Sequence, residues 1–147
     1  DRRAHGPGER IRHHPVVQHL LDRLWKRVLG QRVLGRVVVV LGGDGGELPF
    51  VPDSVGRIWN RKAEIDVAAI NQRLKSVILG ECRWTSTRMS EKDLESLIER
   101  SRSLEKIEGY KTAYALFSRS GFTGVLKKRA KRENVMLFEG PGLVRLA

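Results

Sequence analysis

Glu64-Ile65-Asp66-Val67-Ala68-Ala69-Ile70, then Asn71-Gln72-Arg73-Leu74-Lys75, then Ser76-Val77-Ile78-Leu79-Gly80-Glu81-Cys82-Arg83-Trp84, is the stretch that decides the fold. The outer segments are apolar and β-branched and the polar connection has hairpin length, so they read as two antiparallel strands. Period-two alternation puts Ile78, Gly80, Cys82 and Trp84 on one face of the second strand, and Leu79, Glu81 and Arg83 on the other. Folding about the turn brings Asp66 level with Glu81. In a partly buried cleft two such carboxylates repel, and one takes up a proton unless a hard cation lies between them. The bland alternative is an ordinary Asp66–Arg83 ion pair across the strands, with Glu81 solvated.

The spacing D-x(14)-E-x-R, with its second acid on an apolar strand, resembles the core of the PD-(D/E)XK, or restriction-endonuclease-like, superfamily. Four ordered blocks narrow the resemblance: Val55-Gly56-Arg57-Ile58-Trp59-Asn60, Glu64-Ile65-Asp66-Val67, Gly80-Glu81-Cys82-Arg83-Trp84 and Leu116-Phe117-Ser118-Arg119-Ser120-Gly121-Phe122-Thr123. Together they look like the domain that follows the P-loop module in archaeal-type ATPases, over about the last hundred residues. The resemblance implies an α/β fold, a restriction-endonuclease-like mixed β-sheet flanked by helices. It implies Mg²⁺ or Mn²⁺ held by Asp66, Glu81 and the Cys82 backbone carbonyl, and metal-dependent phosphodiester hydrolysis. It also implies nucleic acid as partner, DNA ahead of RNA, a P-loop ATPase module as a second partner, and pairing of two copies to cut two strands.

One departure from the family pattern has chemical weight. Arg83 stands where the family usually has Lys, the residue that orients or activates the nucleophile. Arg keeps its proton in any protein setting, so Arg83 suits a transition-state cation and not a base. Lys62, before the first strand, and Lys75, opening the second, are the replacements that position offers.

Composition points to the same kind of partner. The 147 residues suit one domain with a real core. Lys and Arg number 28 against 17 Asp and Glu, a net charge of +11, and a surface of that sign attracts polyanions. Lys127, Lys128, Arg129, Lys131 and Arg132 form the densest basic run and the expected phosphate contacts, with Arg100 and Arg102 a weaker pair. The alternative is that the run is the solvated face and cationic last turn of a helix. The single cysteine, Cys82, allows no internal disulfide and reads as core. The longest apolar run, Val37–Leu41, falls far short of the ~20 residues of a bilayer helix, and no apolar stretch follows the charged N-terminus. A cytoplasmic protein is expected.

Near Glu47 the composition changes. Residues 1–46 are crowded with Arg, Gly, Val and His and hold all four histidines, while 47–147 have ordinary globular proportions and form the nuclease-like domain. Helical spacing of Val17, Leu20, Leu21, Leu24 and Val28 predicts a helix over about Pro15–Leu29. A strand at Arg36–Leu41 and a break at Gly42–Gly46 follow. The family's opening helix carries a Glu that completes the metal site, whereas Glu9 and Glu47 lie outside the helix predicted here. A misframed or truncated GC-rich gene would encode such a bias, an expectation that peptides from the natural host would test. Val37–Gly46 ends without Gly-Lys-Ser/Thr, so no ATP site is expected. His13, His14 and His19 lack the spacing of a zinc site.

Beyond the acidic strands, Ser90 with Asp93 predicts a helix start and Leu94, Leu97, Ile98 and Leu104 an apolar stripe through about Ile107. Lys111–Ser118 reads as a strand, Phe122–Glu133 as a helix and Asn134–Phe138 as the last strand. Three strands, helix, strand, helix, strand is an α/β order with helices covering a mixed sheet. Ser118, Ser120 and Gly121 fall at a strand-to-helix turn that could hold a phosphate, although capping by Ser120 or Thr123 is the simpler reading. Trp84 is expected in the core, and Trp59 stays open. The leading expectation is a nucleic-acid-binding, metal-dependent nuclease-like domain. The alternative is a catalytically inactive module that docks on DNA or on an ATPase, and a third is a truncated product with an uncovered sheet.

Overall fold

The computed structural model of the chain describes residues 48–140 and 143–146. The helix and strand expected before Glu47, with Glu9, Glu47 and the histidines, lie outside the described residues.

A six-stranded mixed sheet organises the rest, with strands β1 (Ser54–Trp59), β2 (Glu64–Asn71), β3 (Ser76–Arg83), β4 (Lys111–Ser118), β5 (Met136–Glu139) and β6 (Val144–Arg145) side by side in chain order. The first three form an antiparallel meander; β4 runs parallel to β3, β5 parallel to β4, and β6 antiparallel to β5. Each parallel step needs a crossover. Helix α1 (Glu91–Ser101) makes the first and α2 (Gly124–Glu133) the second. Two crossovers of the same hand put both helices on one face of the sheet. This is an α/β fold, consistent with a restriction-endonuclease-like arrangement.

Alternation along the strands sorts the core into two clusters. Leu79, Ala68, Val77 and Leu116 face Leu94 and Leu97 of α1 and Leu126 and Ala130 of α2, all fully or nearly fully buried. Ile78, Val67, Ala69, Phe117 and Phe138 occupy the opposite face, where the rings of Phe117 and Phe138 stack at 5.0 Å. Cys82 and Trp84 pack against that second cluster, as the alternation of β3 requires.

Several boundaries differ from the sequence reading; the last strand begins at Met136, because Asn134 takes a left-handed conformation (φ 58°) as the C-cap of the second helix. The first helix ends at Ser101, and the apolar stripe continues through an extended Leu104 into a short 3₁₀ turn, Glu105–Ile107. Ser101 Oγ donates to the Ile98 carbonyl and Ser103 Oγ to that of Arg100, so local side-chain bonds take helix-end acceptors and the chain turns. Leu104 and Ile107 still bury. The second helix starts at Gly124, because Phe122 is drawn into a parallel bridge with Met89 and Thr123 caps the helix by accepting Leu126 N–H at 3.2 Å. The short β6 carried no apolar alternation to announce it.

Candidate metal site at a strand fork

The pairing of β2 with β3 runs from Asn71 opposite Ser76 to Val67 opposite Gly80. Asp66 and Glu81 are the next residues on the two strands. Beyond that point β2 stays with β1 and β3 with β4, so the acids stand where the meander forks. The expected hairpin register therefore holds to the edge of the site.

The sequence does not announce the irregularity beside it. From Gly56 to Ile58, β1 advances two residues, while its partners on β2 run three, from Ala68 to Ile65. The extra residue is a β-bulge at Asp66–Val67. Bulges bend a strand and re-aim a side chain. Asp66 is 2 % exposed, an uncommon environment for a carboxylate in a sheet. Glu81 is partly buried and faces α1.

Close approach of the sheet also depends on Gly80. A Cβ there would stand 3.0 Å from the Phe117 ring, 3.1 Å from the Ala115 carbonyl oxygen and 3.3 Å from Val67 Cβ. Only glycine lets β2, β3 and β4 converge next to Glu81.

Two described cations near the fork, Arg83 and Arg100, are engaged with acids. Arg83 pairs with Asp93 in the first turn of α1, and the other Asp93 oxygen accepts the Ser90 N–H at 2.8 Å. One carboxylate thus fixes the helix start and ties it to β3. Arg100, in the last turn of α1, reaches Glu81 at 3.2 Å and the Glu64 carbonyl at 2.7 Å. The simple alternative is thereby altered: Arg83 goes to α1, and Glu81 is ion-paired to Arg100. Lys75 is exposed at the hairpin turn; six residues along the strand put its backbone about 20 Å from Glu81. Lys62 is exposed just before β2.

The turn after β4 uses its donors locally. Ser118 Oγ, fully buried, donates to the Gly121 carbonyl and accepts the Gly121 N–H, while Ser120 Oγ donates to the Thr85 carbonyl. Capping and loop closure therefore account for these serines. A groove of about 370 Å³ lies beside this turn, with Arg88, Lys127 and Glu139 on its walls. It sits at the C-terminal ends of β4 and β5, along the same edge of the sheet as the fork but not over it.

The basic run divides in two. Lys127, Lys128, Lys131 and Arg132 are exposed on α2. Arg129 is turned inwards to Glu91 and Glu95 of α1 and to Glu133, at 3.6, 3.1 and 3.1 Å. Burial disfavours its charge, but the hydrogen bonds it donates to Glu95 and Glu133, with the attraction of those carboxylates, outweigh that and raise its pKa. Arg129 is a clamp between helices; its sequence neighbours gave no sign of the difference. The side chain of Trp59 lies outside the description.

Among the described residues no three His, Cys, Asp or Glu side chains gather as a metal cluster. The chain itself offers two carboxylates at the fork, a hard oxygen donor set that suits Mg²⁺ or Mn²⁺ and leaves further positions to carbonyl, water or substrate oxygens.

Fold and site define an α/β domain with an acidic fork in a mixed sheet. The chain belongs to DUF234, a family described as archaea bacterial proteins of unknown function, whose model matches residues 31–114. That match begins ahead of the composition change at Glu47 and covers both acids. No curated protein matches the chain. Among solved structures it is similar to a protein of unknown function, AF1548, at 20 % identity and a TM-score of 0.48, over 75 % of this chain. The chain spans 58 % of that protein's length. No helix among the described residues is long and apolar enough to cross a membrane.

Proposed function

We propose that this is a PD-(D/E)XK-type domain that binds nucleic acid, DNA ahead of RNA, and hydrolyses phosphodiesters with Mg²⁺ or Mn²⁺ held by Asp66 and Glu81. The observation that carries the reading is the position of those two acids: adjacent in register at the fork of β2 and β3, one of them almost wholly buried beside a bulge. A divalent ion shared between the two is one reason to keep a second acid beside so deeply buried a carboxylate. The bound ion would supply Lewis acidity and a more acidic water.

The protein's own residues do the remainder. Asp66 and Glu81 orient the site, with the Cys82 carbonyl as the third ligand that the family resemblance implies. Exposed Lys127 and Arg88 line the groove at the end of the sheet that carries the fork, and Lys128, Lys131 and Arg132 extend the basic surface along α2. Arg83, the transition-state cation that the family resemblance implies, pairs with Asp93 and so ties α1 to β3 beside the site.

The second reading is a catalytically inactive module that docks on DNA or on a P-loop ATPase. Arg at position 83 in place of the family's Lys favours it. Incubating the protein with supercoiled and linear DNA in Mn²⁺, Mg²⁺ or chelator separates the two. Metal-dependent cleavage that Asp66→Ala abolishes supports the enzyme, whereas metal-independent binding without cleavage supports the docking module.

A further inference from the structure

We infer that the Arg100 guanidinium is the resident counter-cation of Glu81, and that a divalent ion shared by Asp66 and Glu81 binds there by displacing it. This rests on the metal-site reading above. Arg100 is well placed for its own helix, where a cation in the last turn complements the dipole. Its side chain does not run out to solvent, however, and is only 28 % exposed. Nη2 donates to Glu81 Oε1 at 3.2 Å, Nη1 to the Glu64 carbonyl at 2.7 Å, and Nε to the carbonyl and Oγ of Ser96, each at 3.3 Å.

These contacts span the fork. Glu64 lies on β2, two residues before Asp66, and Glu81 lies on β3. One guanidinium thus bridges the two strands just past the point where their mutual pairing ends. The fork geometry of Arg suits this, since its planar donors can meet a carbonyl and a carboxylate at once. A metal ion and a guanidinium draw on the same Glu81 lone pairs and repel each other. Arg100 cannot yield by losing its proton, so it must swing aside. Its place at the helix end, partly open to water, allows that movement. A displaced guanidinium next to a bound cation would then be free to meet an incoming phosphate.

Manganese titration of the full chain by calorimetry tests this. Removing the competing charge in Arg100→Gln should tighten Mn²⁺ binding about tenfold, the scale of one charge-assisted hydrogen bond. Arg100→Lys, which keeps the charge but cannot bridge Glu64 and Glu81 together, should fall between Arg100→Gln and the parent. Arg73→Gln, which removes an exposed cation at the hairpin turn, should bind as the parent does. Damage to the fold would weaken binding, so a gain in affinity cannot come from it, and Arg100→Lys carries the test if Arg100→Gln does not fold. Equal or weaker binding in both Arg100 variants overturns the inference, as does an equal gain in Arg73→Gln. Absence of binding in the parent and in every variant overturns the metal-site reading itself.

Discussion

Gly80→Ala puts the packing of the fork to a quantitative test. The added methyl would meet the Phe117 ring at 3.0 Å, the Ala115 carbonyl at 3.1 Å and Val67 Cβ at 3.3 Å, so the neighbours must yield by a few tenths of an ångström. None yields easily. Ala115 contributes backbone of the central parallel strand, and the Phe117 ring is stacked on Phe138 with planes 10° apart. Overpacking of this kind costs about 1–3 kcal/mol, and replacing a strand glycine returns about 0.5–1 of it. For a chain of this length a net loss of about 1–2 kcal/mol lowers Tm by about 3–8 °C. Since β3 must shift next to Glu81, Mn²⁺ affinity should fall as well. Gly124→Ala is the control, because nothing lies within 4 Å of its added Cβ and the position is the first of α2; its Tm should match or exceed the parent's. Thermal melts followed by circular dichroism measure both. A Gly80→Ala protein as stable as the parent would refute the close convergence of β2, β3 and β4.

The clamp between β3 and α1 makes a second prediction: Asp93→Asn weakens the Arg83 pair and one helix-start bond together, and Tm should fall by about 2–4 °C while Mn²⁺ affinity stays close to the parent's. On α2, Lys128→Gln and Lys131→Gln should each lower the salt slope of DNA binding by about 0.9, read by fluorescence anisotropy across a salt series. Arg129→Gln should leave that slope unchanged and lower Tm instead, because its charge is already met by Glu91, Glu95 and Glu133.

Much of the sheet was legible because strand periodicity is local. The alternation of Ile78, Gly80 and Cys82 against Leu79, Glu81 and Arg83 and the hairpin-length turn were enough to set the register that brings Asp66 to Glu81. The bulge was not legible, since an extra residue on β2 is a property of its pairing with β1 and leaves no mark in Ile65-Asp66-Val67-Ala68. Arg100 was visible only as a surface cation, nineteen residues after the acid it meets. Its role arises from the way α1 crosses back over β2 and β3. Likewise nothing in Lys127-Lys128-Arg129 separates the inward Arg129 from its exposed neighbours, because helical phase and the acids of α1 decide that between them. Short-range features were read from the chain, and cross-element ion pairs had to wait for the fold.

If Asp66 and Glu81 share one divalent cation, calorimetric titration of Mn²⁺ into the parent protein and into Asp66→Ala and Glu81→Ala will show it. One ion should bind to the parent and none to either folded variant. A parent that binds no Mn²⁺, or a folded variant that binds it as the parent does, would rule the shared site out.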